Sequence, residues 1–198
     1  MKSCIVFLMV LPYLLFADSV NGWKPLHEAV YRNDFKLLKK IVEKDKCDVD
    51  SQSKAGISAL HIAVKTRNLK MVNYLLDHGV DVDIQDKNGY TPLHYAISAR
   101  RLKIVRALIM HDADVNLANN AGITPLQQAA YSNDFSIVDF LLDHGADPKV
   151  LNANGINACE LAYLKGNISM AHHLLFYTNG KCGEYVDELN NISNGGDR

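Results

Sequence analysis

Glycine recurs along this chain at an almost constant interval. Gly56, Gly89, Gly122 and Gly155 are evenly spaced, and the interval from Gly22 to Gly56 is longer by one position. A related phrase follows each glycine, in the order GWKPLHEA, GISALHIA, GYTPLHYA, GITPLQQA and GINACELA. Self-similarity at a fixed period of about 20–50 residues is the signature of repeat architectures. The chain is therefore expected to fold as a stack of similar units, each packed against its neighbours.

The repeated phrase and its period resemble the ankyrin repeat. The second part of the unit agrees, since YLLDHGVDVD, ALIMHDADVN and FLLDHGADPK return at the same spacing. The resemblance implies five repeats between residues 23 and 178, at about 23–52, 53–85, 86–118, 119–151 and 152–178. It also implies an all-α fold, an ankyrin-repeat solenoid of antiparallel helix pairs with β-turn or hairpin loops.

The residue types within the unit suit such a helix pair. Thr91 and Thr124 can cap the first helix, and Pro92 and Pro125 fit its first position. Leucine and alanine recur where the helix faces the neighbouring repeat, at Leu26, Leu60, Leu93, Leu126, Ala29, Ala63, Ala96 and Ala129. A left-handed turn between the two helices is expected at Asn33, Arg67, Arg100, Asn133 and Gly166.

The first and fifth repeats depart from the pattern. Lys24 stands where threonine is usual, and the phrase GINACELA has lost the TPLH core. Terminal repeats are expected to be atypical because one face of each is open to water. We therefore expect the array to carry its own caps, and the polar segment 179–198 to be a flexible tail.

The amino terminus has the layout of a secretory signal peptide. Lys2 precedes an apolar run from Cys4 to Phe16, which is followed by small and polar residues. That run is shorter than the roughly 20 residues of a membrane-spanning helix. Residues 1–22 are therefore predicted to be cleaved, which implies secretion without a stable membrane anchor. The alternatives are an uncleaved anchor, or an apolar extension of the first repeat in a cytoplasmic protein.

Composition and charge exclude some partners. Hydrophobic residues make up 48% of the chain, charged residues 22%, and the formal net charge is −1, which are values typical of a globular protein. A near-neutral chain gives no overall electrostatic attraction to nucleic acid, so no nucleic-acid partner is expected. Charge is nevertheless uneven, because residues 23–46 hold seven Lys or Arg against four Asp or Glu.

No residue pattern predicts catalysis. The stretch HEAVY lacks the second histidine of a zinc-protease helix, because Tyr31 stands in its place. His27, His61 and His94 all occupy the TPLH position, where the resemblance implies that a histidine bonds the turn backbone between repeats. We predict no catalytic residue, no metal site and no cofactor, and thus a protein that is not an enzyme.

The sequence also offers one candidate disulfide and two candidate glycosylation sites. Cys47 and Cys159 would lie about 35–40 Å apart if each repeat adds about 9–10 Å, which is too far for a disulfide. Cys159 and Cys182 can come together at the end of the array, so we hypothesise a bridge there; alternatively, Cys159 only replaces a core leucine. Asn167 and Asn191 are glycosylation acceptors by their Asn-Ile-Ser sequence.

The resemblance also implies where a partner binds. Ankyrin arrays bind proteins with their loop tips and the concave face of their inner helices. Eight residues are predicted to carry that surface here, namely Trp23, Tyr31, Arg32, Ile57, Lys65, Tyr90, Ile123 and Tyr131. The tip residues among them have an alternative role, which is to cover neighbouring turns within the stack.

These features predict a secreted, non-enzymatic, monomeric ankyrin protein that binds a protein partner. One alternative is a regulatory role as a host-directed effector, a venom component or an intracellular inhibitor, the last resembling ankyrin inhibitors of Rel-type transcription factors. The other is a structural spacer.

Overall fold

A computed structural model of the protein describes residues 22–44, 48–178 and 182. This part of the chain divides into two compact units, the first ending at Ala113 and the second beginning at Asp114. The predicted signal peptide (except Gly22), Cys47 and nearly all of the predicted tail lie outside the described residues. The bounds predicted for the five repeats remain predictions.

Unit 1 contains three helix pairs. The helices are α1 (Pro25–Tyr31), α2 (Phe35–Lys44), α3 (Ala59–Lys65), α4 (Leu69–Leu76), α5 (Pro92–Ser98) and α6 (Leu102–Ile109). Within each pair the two helices pack together, and α1, α3 and α5 also pack in series as the inner layer. This arrangement lets the short first helix of one repeat contact the first helix of the next.

Unit 2 repeats the same architecture with two helix pairs. Its helices are α7 (Pro125–Tyr131), α8 (Phe135–Asp143), α9 (Ala158–Leu164) and α10 (Ile168–Tyr177). Helix α7 packs on α8 and on α9, and α9 packs on α10. The described residues of both units hold ten helices and no strand, so the predicted all-α class of stacked helix pairs is confirmed.

The predicted caps and contact residues are present. Thr91 Oγ1 accepts a hydrogen bond from the His94 N–H at 3.4 Å, and Thr124 Oγ1 accepts one from the Gln127 N–H at 3.3 Å. Pro92 and Pro125 stand at the first position of their helices. The eight leucines and alanines predicted to face neighbouring repeats are at most 2% exposed. These contacts explain why a helix of seven residues, too short to be stable alone, forms here.

The predicted left-handed turns are also confirmed. All five residues between the paired helices have positive φ, including Arg67 at 60° and Arg100 at 53°. This conformation is unfavourable for a residue with a Cβ, so the surrounding packing must impose it. The same turn therefore forms whether the residue is asparagine, arginine or glycine.

A hairpin-like loop projects ahead of the first helix in each of the second to fifth repeats. In the third repeat the Asp86 N–H donates to the Tyr90 carbonyl at 2.9 Å, and the Gly89 N–H donates to the Asp86 carbonyl at 2.9 Å. The Asp86 carboxylate also accepts from the Tyr90 N–H at 3.0 Å, which closes the loop. Adjacent loops are joined directly, since the Lys87 N–H donates to the Ala55 carbonyl at 3.1 Å.

Candidate functional site

Unit 1 contains a groove with a volume of about 310 Å³. The loop before α3 and side chains from α1, α3 and α5 form its walls. Most of its lining is apolar or aromatic, and the large side chains are Trp23, Tyr31, Ile57, Ile62 and Tyr95. Because the inner helices and their loops pack in a fixed register, these side chains reach one place from three successive repeats.

The aromatic residues of the first repeat form one wall. The Trp23 and Tyr31 rings meet edge to face with centroids 5.2 Å apart, and Trp23 also stacks on the His27 ring at 6.2 Å. Tyr31 is the last residue of α1 and is 60% exposed. Tyrosine and tryptophan are enriched at the centres of protein interfaces, and this wall places an exposed tyrosine beside a half-buried tryptophan.

Tyr95 forms the opposite wall and is held in place. Its hydroxyl donates a hydrogen bond to Asp86 Oδ2 at 2.9 Å, and its ring lies 5.1 Å from that of His61, edge to face. Burial, reinforced by the bond to Asp86, raises the pKa of the Tyr95 hydroxyl far above its usual range. The side chain therefore stays neutral and presents a fixed apolar face to the groove.

The charged side chains of the groove are basic. Lys54 and Lys65 line it, and none of the other described lining residues is an aspartate or a glutamate. Burial lowers the pKa of His61, so this lining residue is uncharged at neutral pH. The groove thus combines a mostly apolar lining with two lysine side chains.

Buried histidines hold the loops of neighbouring repeats together. His27 Nε2 donates to the Ile57 carbonyl at 2.9 Å, and His61 Nε2 donates to the Tyr90 carbonyl at 3.0 Å. In each ring Nδ1 accepts a backbone N–H of its own repeat, at 2.9 Å from Lys24 and 3.3 Å from Ser58, which assigns the proton to Nε2. The predicted structural role of these histidines is confirmed.

Because these histidines are buried and uncharged, we expect the protein to become less stable at acid pH. Burial lowers the pKa of both His27 and His61 in the folded state, whereas both rise to about 6.5 on unfolding. Their contribution to stability is therefore complete above about pH 6.5. It is lost as the pH falls from there through the lower pKa values that the two histidines have in the folded state. Urea unfolding at a series of pH values should show this decline, and His61→Gln should make it shallower. A decline that is unchanged in His61→Gln would contradict this assignment.

The structure brings half of the predicted partner-binding residues together. Trp23, Tyr31, Ile57 and Lys65 all line the groove. Tyr90 is not among the lining residues; it is half-buried, and its ring lies 6.3 Å from that of Tyr95.

The other predicted residues lie elsewhere. Arg32 pairs with Glu28 on the exposed side of α1. Ile123 and Tyr131 belong to unit 2, where Tyr131 is 48% exposed and the Lys165 ammonium lies 4.5 Å from its ring centre.

Sequence reasoning missed Tyr95 and Ile62, which complete the groove. They occupy equivalent positions in consecutive repeats, directly after the repeat histidine. The corresponding residues of the first and fourth repeats are Glu28 and Gln128. Large apolar or aromatic side chains at a position that is polar in the first and fourth repeats were the signal that could have identified them.

The sites predicted in the last repeat lie in unit 2. Cys159 and Cys182 form a disulfide with a Cα–Cα distance of 5.4 Å, and both residues are fully buried. Asn167 Nδ2, the atom that would carry a glycan, donates to the Ala130 and Tyr131 carbonyls at 3.2 Å each. Attachment of a glycan would disturb these bonds between repeats. Asn191 lies outside the described residues.

The described residues hold neither a metal-binding cluster nor a membrane-spanning helix. Over residues 22–44, 48–178 and 182, no three His, Cys, Asp or Glu side chains are placed to share a metal ion. In the same part of the chain, none of the helices has both the length and the apolar character needed to cross a membrane.

Comparison with known proteins agrees with this architecture. The family model described as Ankyrin repeats (3 copies) matches residues 26–119 and 112–184. Human Ankyrin repeat and SOCS box protein 3 is 34% identical over 65 residues, which are 32% of this chain and 12% of that protein. The NAD-dependent deacetylase sir2B of Dictyostelium discoideum is 34% identical over 61 residues, which are 31% of this chain and 8% of that protein.

The similarity to these two proteins is thus confined to a short segment of this chain. The chain spans 12% or less of the length of these relatives. The family model, in contrast, covers well over half of the chain. Ankyrin repeats are modules of protein–protein interaction, and a groove with exposed aromatic residues suits that role. The protein belongs to the ankyrin repeat family.

Proposed function

We propose that this chain is a secreted, non-enzymatic, monomeric protein that binds a protein partner through the groove of unit 1. The observation that carries this proposal is the convergence of Trp23, Tyr31 and Tyr95 on one concavity. Tryptophan and tyrosine dominate the energetics of interfaces because they bury a large area at a low entropic cost.

The groove is preorganised for binding. Tyr95 is fixed by its hydrogen bond to Asp86, and the Ile57 backbone is fixed by the bond from His27. Side chains that are already ordered lose less conformational entropy when a partner binds. This rigidity favours recognition of a preformed feature of the partner, such as one protruding side chain.

The disulfide supports the secreted location. Disulfides form and persist in oxidising compartments and are rare in the cytosol. Both cysteines of the Cys159–Cys182 pair are buried at the end of unit 2, where the bond closes a loop with a sequence separation of 23 residues. Closure of such a loop stabilises the folded chain by about 3 kcal/mol.

Secretion is tested by mass spectrometry of protein recovered from the medium of cells that express the full chain. We expect a mature amino terminus between Asp18 and Trp23, and a disulfide-linked peptide pair containing Cys159 and Cys182. A protein that keeps Met1 and stays in the cytosol with both thiols reduced would refute a secreted role.

The binding site is tested by photo-crosslinking. Tyr31 and Tyr131 occupy the same repeat position and are 60% and 48% exposed, which makes them a matched pair. A benzophenone side chain at position 31 should become linked to the partner, whereas the same group at position 131 should not. Equal yields at the two positions, or a product only at position 131, would place the interface outside the groove.

A further inference from the structure

We infer that the turns between the paired helices of unit 1 form a binding surface for a sulfated polysaccharide. We define this surface, the basic edge, as residues 32–36, 66–70 and 99–103, which connect the first helix of each repeat to the second. None of its basic residues lines the groove, so it is a second surface. The inference rests on the proposed function only for the secreted location, which decides the class of polyanion that the protein meets.

The basic edge differs in charge from the same positions of unit 2. Its three segments read RNDFK, TRNLK and ARRLK, and they hold seven Lys or Arg against one Asp. The corresponding segments 132–136 and 165–169 read SNDFS and KGNIS, with one Lys and one Asp. All seven basic residues of the edge are exposed, and its one acid, Asp34, accepts the Leu37 N–H at 2.9 Å. Positive charge is therefore concentrated at one edge of unit 1.

Packing between repeats arranges these charges in a row. Lys36, Lys70 and Lys103 are each the second residue of the second helix of their repeat. The Lys70 ammonium lies 4.0 Å from the centre of the Phe35 ring, so α4 contacts the start of α2. Helices α4 and α6 also pack together. Because packed helices lie about 10 Å apart, the three lysines recur at a regular interval.

Local structure favours other residues at several of these positions. Arg101 precedes α6 at the capping position and makes no side-chain cap bond, whereas Asn68 and Asp134 cap α4 and α8. Arg67 has a φ of 60°, a conformation that asparagine and glycine tolerate better than arginine. Lys103 lies in the first turn of α6, where the helix dipole disfavours a cation. Since residues that break local rules are expected at functional sites, these charges indicate a role in binding.

The charges are also available to a partner. Over residues 22–44, 48–178 and 182, no carboxylate forms an ion pair with Arg67, Arg101 or Lys103. The acidic residues Glu43 and Asp77 stand at the opposite ends of α2 and α4. A polyanion can therefore contact these basic residues without first displacing an ion pair.

The pattern favours a linear polyanion over a nucleic acid or a membrane. Proteins that bind single-stranded nucleic acid use exposed aromatic rings, but Phe35, the one aromatic residue of the edge, is half-buried with the Lys70 ammonium over its ring. Attachment to a membrane surface uses exposed apolar side chains, and Leu69 and Leu102 are likewise half-buried. The Cys159–Cys182 disulfide favours an oxidising compartment, and the linear polyanions of cell surfaces are sulfated polysaccharides.

The test measures binding of heparin, a sulfated polysaccharide, to the purified protein by calorimetric titration. We expect binding at physiological salt that weakens steeply as salt is raised, because the contacts are ionic. Polyglutamate, DNA in single-stranded and duplex form, and phosphatidylserine vesicles are titrated under the same conditions. Each should bind at least about tenfold more weakly than heparin.

A triple variant of the basic edge tests the surface itself. It carries the substitutions Arg67→Asn, Arg101→Asn and Lys103→Gln. Its affinity for heparin should fall by about tenfold or more. Its midpoint of urea unfolding should not fall, because Asn33 and Asn68 already occupy the positions equivalent to 67 and 101 in other repeats.

A control variant removes the same number of positive charges elsewhere. It carries the substitutions Lys24→Gln, Lys149→Gln and Lys165→Gln, all at exposed positions outside the basic edge. Its affinity for heparin should stay within about twofold of the wild type. A difference between the two variants therefore reports the position of the charges and not the net charge.

The inference is overturned if heparin does not bind, if another of the polyanions binds more tightly, or if the control variant weakens heparin binding as much as the edge variant does. Secretion and occupancy of the groove are tested separately, by mass spectrometry and by crosslinking at position 31. Failure of the heparin titrations is thereby distinguished from failure of the proposed function.

Discussion

Replacing Gly122 by alanine is expected to lower the free energy of unfolding by about 2–5 kcal/mol. Gly122 has a φ of 71°, and a Cβ there would lie 2.7 Å from the Ala153 nitrogen and 3.1 Å from the Asn152 carbonyl carbon. These backbone atoms belong to the next loop, whose Ala153 N–H donates to the Ala121 carbonyl at 3.0 Å. Relief of the clash would separate the two loops and break the bond between them.

Gly155 provides the matched control for this substitution. It occupies the same repeat position in the same unit and has a φ of 74°, but no described atom lies within 4 Å of the place that a Cβ would take. Gly155→Ala should therefore cost only the backbone strain, about 1–2 kcal/mol. Urea unfolding followed by circular dichroism measures both values. Equal losses would show that contact between loops adds nothing to the requirement for glycine.

The second large effect is expected at His61. His61→Leu should lower the free energy of unfolding by about 2–4 kcal/mol, because it removes a partner from the Ser58 N–H and from the Tyr90 carbonyl. The ring is fully buried, and these two bonds measure 3.3 Å and 3.0 Å. Water has little access to the groups left behind, so the loss is not compensated.

The fourth repeat supplies a natural control for this experiment. Gln127 stands at the equivalent position, accepts the Thr124 N–H at 3.3 Å, and donates to the Ile156 carbonyl at 3.1 Å. Glutamine thus makes both bonds that histidine makes. His61→Gln should accordingly cost less than about 1 kcal/mol, as expected when hydrogen bonds are exchanged rather than lost. A loss as large as that of His61→Leu would show that ring packing, and not the hydrogen bonds, is what matters.

The repeat pattern made most of the fold predictable. Caps such as Thr91, left-handed turns such as Arg67, and the histidine bonds between loops each follow from a residue type at a fixed position in the repeat. Arg67 is informative because its own preference opposes a positive φ, yet it adopts 60°. The periodicity therefore predicted its conformation better than its local propensity did.

The candidate site was only partly predictable, because it depends on which repeats lie side by side. The loop tips and helix ends identified Trp23, Tyr31, Ile57 and Lys65. They did not identify Tyr95, which is two repeats from Tyr31 and whose direction is set by its hydrogen bond to Asp86. Likewise, no sequence pattern distinguished Tyr31 from Tyr131, although only Tyr31 lines the groove.

The central claim, that the groove of unit 1 binds the partner, is tested most directly by calorimetric titration of the identified partner. The titration compares the wild type with Tyr31→Ala and Tyr131→Ala. Loss of an anchoring aromatic side chain commonly costs about 2 kcal/mol or more, so Tyr31→Ala should weaken binding by about tenfold or more. Tyr131→Ala should leave the affinity within about twofold of the wild type. Wild-type affinity in Tyr31→Ala, together with weakened binding in Tyr131→Ala, would contradict the claim.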